Sequence, residues 1–116
     1  MKEVACGLED WLAIQGSFAA IGLQVFATSN VHLGKRTKGV VTLVKQGVGA
    51  TQVATLEEWC GTCLAITIGR TLILNSYAPP RQTHLMEHLS NLDEFLVGLS
   101  WRGSQLWCGD WNETDR

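Results

Sequence analysis

The chain has 116 residues, 46% of them hydrophobic and 17% charged, with a net charge of −2. That balance excludes a disordered chain and allows one core, and the slight negative charge excludes a global positive field that would draw in a polyanion. No apolar run approaches the roughly 18 residues that span a bilayer, and the stretch from Met1 to Asp10 is too acidic for a signal segment, so a soluble intracellular chain with no membrane partner is expected.

Val4, Leu8, Trp11 or Leu12, and Phe18 fall near helical spacing, which predicts a short helix over about residues 3 to 15, limited by Gly16 and Gly22. Leu23 to Thr28 then looks extended, and Ser29 to Lys38 carries the Asn, Gly and charge of a surface connection. The one basic cluster lies here, Lys35-Arg36-Thr37-Lys38 with Lys45 beyond it. It reads as a solvated loop, with contact to a phosphate backbone as the alternative.

From Gly39 the texture turns to strand. Gly39 to Lys45 and Thr51 to Leu56, joined by Gln46-Gly47-Val48-Gly49, are expected to pair as a hairpin. Cys60-Gly61-Thr62-Cys63 has the spacing of half a zinc site or a redox motif, but no second pair accompanies it, so it reads as a turn entering a strand. A second hairpin is predicted from Leu64 to Ile68 and Thr71 to Asn75 around Gly69-Arg70, and its strands are apolar on both faces, as in a sheet covered on each side. Pro79-Pro80 ends this extended run.

Leu85, Leu89, Leu92, Leu96 and Leu99 draw one apolar stripe on a helix of about residues 83 to 98, with Thr83 as its N-cap. His84 and His88 share a helical spacing but lack the glutamate of a His-Glu-x-x-His metal motif, so both are expected as exposed helix residues. Trp11, Trp59, Trp101, Trp107 and Trp111 read as packing and interface surface, with base stacking as the alternative. The last predicted strand, Gln105 to Cys108, runs into Gly109-Asp110-Trp111-Asn112.

A strand, helix, strand succession places Tyr77 and Asp110 at two strand exits. If those strands are neighbours, both residues belong to one site. Phosphodiester hydrolysis needs a positioned water and groups that neutralise charge growing on phosphate oxygens. Asp110 and Asn112 offer the oxygen ligands that suit Mg²⁺. Taken alone, Gly-Asp followed by Asn is ordinary turn chemistry, and only the upstream elements turn the reading toward a site.

Those elements together resemble the endonuclease/exonuclease/phosphatase (DNase-I-like) family. Gly109-Asp110-Trp111-Asn112 is similar to the family's Gly-Asp-aromatic-Asn motif, Asn75-Ser76-Tyr77-Ala78-Pro79 to its tyrosine motif, and Lys38-Gly39 to Val44 to its glycine-led central strand. The resemblance covers roughly residues 21 to 116. It implies a four-layer α/β sandwich with mostly antiparallel sheet and covering helices. It also implies a Mg²⁺- or Mn²⁺-dependent phosphodiesterase acting on nucleic acid, with retrotransposon-type endonucleases as the favoured branch, although lipid-phosphate phosphatases share the architecture. In this pattern Asp110 orients the attacking water or a metal-bound species, while Asn112 and Tyr77 contact the phosphate.

Residues 1–116 depart from the family in two ways. The strand that would carry a metal-binding glutamate before the first helix is missing, and so is the C-terminal half with its general-base histidine and partner aspartate. Glu3, Glu9 and His32 match no family position. The expectation is a partial domain, inactive as it stands, with weak or absent metal binding. The alternative is a non-catalytic binding or interaction module, or a decayed element, that keeps half of the sandwich and binds a partner or self-associates through an exposed sheet edge.

Overall fold

The computed structural model describes residues 8–29, 39–58, 61–78 and 82–110, apart from the side chains of 8–10, 82 and 110. The expectations placed on His32, the basic cluster Lys35 to Lys38, Trp59, Cys60, Pro79-Pro80, Trp111 and Asn112 lie outside the described residues. Among those described, the chain is mixed α/β, with two helices and six strands. Their order is α1 (Leu8–Ala20), β1 (Leu23–Ala27), β2 (Val41–Lys45), β3 (Ala50–Glu58), β4 (Gly61–Ile68), β5 (Thr71–Tyr77), α2 (Gln82–Leu99) and β6 (Ser104–Asp110). Neither described helix is long and apolar enough to cross a membrane.

β1 and β2 form an antiparallel pair, and the other four strands form a sheet in the order β3-β4-β5-β6, antiparallel except for β5 and β6, which run parallel. The predicted hairpin between β4 and β5 is present, with Ile68 opposite Thr71. Gly69 has φ of 61° and Arg70 does not share a positive value. A positive φ at the first central position only is the pattern of a type II′ turn, whose twist suits the flanking strands.

The other predicted hairpin is not formed. β2 pairs with β1, with Leu23 opposite Lys45, while β3 pairs with β4, with Glu58 opposite Gly61. Residues 46–49 therefore carry the chain from one sheet to the other, and the Gln46 amide donates back to the Gly22 carbonyl at 2.9 Å. Strand propensity marks a segment as extended but does not say which edge it joins.

Three apolar clusters connect these layers. On α1, Trp11 is buried with Ala27, and Val25 and Val41 pack against them. Phe26, Val40 and Val44 meet Leu64 and Ile66, flanked by Ile73 and Tyr77. On the opposite face of the large sheet, Cys63, Ala65, Leu72 and Leu74 pack with Leu92, Phe95, Leu96 and Leu99 of α2. β4 and β5 are thus covered on both faces, which their unbroken apolar sequence predicts, and each fully buried Leu or Ile contributes roughly 1.5–3 kcal/mol.

Both helices differ from the sequence expectation in detail. α1 passes through Gly16, where nothing lies within 4 Å of the place a Cβ would occupy, and ends at Ala20. A single internal glycine costs a helix only about 1 kcal/mol, and the burial of Trp11 outweighs it. Thr83 is the second residue of α2 and so is not its N-cap. Periodicity fixes a helix face more firmly than it fixes an end.

The larger correction concerns His88, which is completely buried while Leu89 is 44% exposed. The core-facing stripe of α2 is rotated so that an imidazole rather than Leu89 meets the sheet. That imidazole meets the Ser76 hydroxyl. Ser76 projects from β5 toward the helix, and a buried hydroxyl there requires a polar neighbour.

Candidate functional site at the strand exits

β5 and β6 are hydrogen-bonded neighbours, and their parallel register makes Tyr77 and Asp110 direct Cα partners. Strands in one sheet lie about 4.8 Å apart, so the tyrosine and aspartate backbones stand side by side where both strands leave the sheet. The row continues across the sheet, since Tyr77 partners Thr62 on β4 and Thr62 partners Glu57 on β3. Glu57, Thr62, Tyr77 and Asp110 thus form one transverse line at a single end of the four-stranded sheet.

Several hydrogen bonds hold that end rigid. The Asn75 amide donates to the Val41 carbonyl at 3.2 Å and to Thr42 Oγ1 at 3.0 Å, which ties β5 to the smaller sheet two residues before Tyr77. The Tyr77 ring is half-buried against the cluster of Phe26, Val40, Leu64 and Ile66. At the exit of β1, Thr28 Oγ1 accepts from the Val40 amide at 3.1 Å and the Thr28 amide donates to the Val40 carbonyl at 3.0 Å. The Ser29 hydroxyl then donates to the Glu57 carboxylate, 2.8 and 2.7 Å from its two oxygens, and Thr55 Oγ1 donates to the same group at 3.3 Å.

Glu57 was not singled out by the sequence reading, which ended its strand at Leu56. The signal for it is modest: an acidic pair, Glu57-Glu58, at the close of a β-rich segment. Asp110 lies within β6, whereas Asn112 falls outside the described residues.

The metal expectation can be tested against the donors present. Among the described residues, no three His, Cys, Asp or Glu side chains come together. Glu57 and Asp110 are separated by three strand spacings, about 14 Å, whereas Mg²⁺ demands ligand oxygens near 2.1 Å. These residues therefore do not make a Mg²⁺ site by themselves, and only Asp110 of the expected site residues is a carboxylate.

A second polar constellation lies behind this row. Ser76 Oγ lies 3.1 Å from the Thr62 carbonyl oxygen and 2.8 Å from His88 Nε2, with both side chains buried. The hydroxyl has one proton, so it donates either to the Thr62 carbonyl, with Nε2–H donating to Oγ, or to an unprotonated Nε2. Burial holds the His88 pKa below its ordinary value and favours the neutral ring. Its ring fills the space above Gly61, where an added Cβ would collide with the imidazole.

Of the described cysteines, Cys63 is buried and Cys108 exposed. Cys63 is the third residue of β4, and its thiol is pushed up to about 12, first by burial and then by nearby Cys108. A thiol so rarely ionised is a poor metal ligand or redox nucleophile.

No family model, curated protein or solved structure matches this chain.

Proposed function

We propose that this chain is part of a metal-dependent phosphodiesterase domain of the endonuclease/exonuclease/phosphatase type, acting on nucleic acid in its complete form. The observation that carries the reading is the register of Tyr77 with Asp110 on adjacent parallel strands. The layer order supports it as well: α1, the β1–β2 pair, the β3–β6 sheet and α2 follow one another through three apolar clusters, as in a portion of a four-layer α/β sandwich.

In this reading Tyr77 donates its hydroxyl to a non-bridging phosphate oxygen, Asp110 orients the attacking water, and Asn112 holds a second phosphate oxygen. A divalent cation, Mg²⁺ or Mn²⁺, would neutralise charge on the phosphate. Because members of a catalytic unit act together and the described residues gather no metal-ligand cluster, residues 1–116 are expected to be inactive by themselves. The purified chain with Mg²⁺ is expected to nick supercoiled plasmid no faster than its Asp110→Ala variant. Mg²⁺-dependent nicking that Asp110→Ala abolishes would overturn the inactivity and strengthen the phosphodiesterase assignment. Reading the coding frame on both sides for an upstream strand ending in Glu and a downstream Asp-His pair tests the assignment independently, and finding neither counts against it.

The edge strand favours a second reading, a non-catalytic interaction module. β6 ends the sheet order, and Leu106 and Trp107 on it are 56% and 37% exposed. An edge with apolar residues and no lysine or proline invites pairing with another strand. Light scattering is expected to show concentration-dependent self-association that Leu106→Lys reverses. A chain that stays monomeric at every concentration would remove this reading.

A further inference from the structure

At the opposite end of the large sheet, about 20 Å along β5 from Tyr77 at 3.3 Å per residue, the β4–β5 turn and the α2–β6 connection enclose an open recess. Its volume is about 350 Å³, and its lining is Gly69, Arg70, Trp101, Arg102 and Gly103. The walls are tied together. The Ser104 amide donates to the Arg70 carbonyl at 3.1 Å, and Trp101 Nε1 donates to the Ser104 carbonyl at 2.9 Å. A Cβ on residue 103 would collide with the Arg70 carbonyl oxygen, so glycine is what lets the two connections approach.

The chemistry of the lining is specific. Arg70 and Arg102 are both exposed, and among the described residues neither guanidinium has a hydrogen-bond or ion-pair partner. Trp101 is anchored on its inner side against the α2 cluster, and its N–H is already committed to Ser104. What the indole offers the recess is carbon surface. Arg70 and Arg102 line the recess together with Trp101 on a chain whose net charge is −2, so the positive charge there is local rather than part of a general basic field. The recess falls within the size range of small-ligand pockets, roughly 300–1,000 Å³.

We propose that this recess binds a nucleotide unit of single-stranded nucleic acid, with Arg70 and Arg102 taking phosphates and the carbon surface of Trp101 taking a base. A carboxylate-bearing peptide would use the arginines but leaves the aromatic surface without a purpose. A nucleotide uses both, because every base has a face to stack and every link carries a charge. The site does not rest on the chemistry at Tyr77 and Asp110, since it lies at the other end of the sheet and needs no metal.

The test is fluorescence anisotropy with a labelled oligothymidylate and the full chain, without divalent cations, over a series of salt concentrations. Binding is expected, with a log–log salt slope that falls by about 1.4 in the Arg70→Gln/Arg102→Gln variant, about 0.7 for each single-strand phosphate that the variant no longer neutralises. Trp101→Leu, shown by circular dichroism to remain folded, is expected to bind about tenfold more weakly. No binding by the unsubstituted chain, or an unchanged affinity and slope in the double variant, overturns the proposal. Equal binding of polyglutamate, or full affinity in folded Trp101→Leu, overturns the nucleotide assignment.

Discussion

Gly109→Ala is expected to lower stability by about 3 kcal/mol or more and to detach β6 from its neighbour. Gly109 has φ of 134°, in a region that residues with a side chain rarely adopt. It is also the register partner of Ser76, and a Cβ there would collide with the Ser76 carbonyl. The two penalties are independent, one conformational and one steric. The obstructing atom is backbone in a central strand, so it cannot swing aside as a flexible side-chain end would. The chain can relieve the collision only by separating β5 from β6, which also separates Tyr77 from Asp110. Urea denaturation gives the stability loss, and hydrogen exchange should localise it to the β6 amides. A variant as stable as the unsubstituted chain would mean that β5 and β6 do not pair in this register, and the proposed site would lose its basis.

The second large effect comes from His88. Replacement by Ala removes a fully buried ring and is expected to cost about 3 kcal/mol through the cavity left between α2 and β5. The same burial makes stability depend on pH. The folded-state pKa of His88 is lowered from 6.5, so as pH falls the unfolded chain takes up its proton before the folded one does. Stability is therefore full above the ordinary imidazole range, declines as pH drops through it, and levels off only below the folded-state pKa. Carboxylates that titrate at lower pH act in both chains alike, so the comparison that isolates the effect is with His88→Gln. Denaturation measured near neutrality and again at mildly acidic pH should show the unsubstituted chain losing more stability than the variant. Equal losses would place the imidazole in solvent.

Much of the fold was legible because apolar pattern reports burial directly. The unbroken apolar runs of β4 and β5 gave a sheet covered on both faces, and Gly69-Arg70 between them gave their turn. Tyr77 and Asp110 were placed at strand exits from sequence, and the crossover helix between them made adjacency a reasonable expectation. Three features were not legible. β2 looked like the partner of β3, because propensity does not name an edge, and the structure places the two in different sheets. His88 looked exposed, because its burial depends on Ser76, a residue twelve positions away that meets it only after the helix has packed. Glu57 was passed over, because its alignment with Thr62 and Tyr77 exists only as register across three strands.

The sequence by itself determined the approximate elements, the apolar faces that must be covered, and the polar residue types gathered around Tyr77 and Asp110. These depend on local periodicity and side-chain chemistry, which the linear order carries. The tertiary structure alone decided which strands pair and which polar groups share the core. It also decided that Arg70 and the distant pair Trp101-Arg102 line a single recess. Such choices rest on long-range register and packing, where a shift of one residue reverses the face of every side chain in a strand.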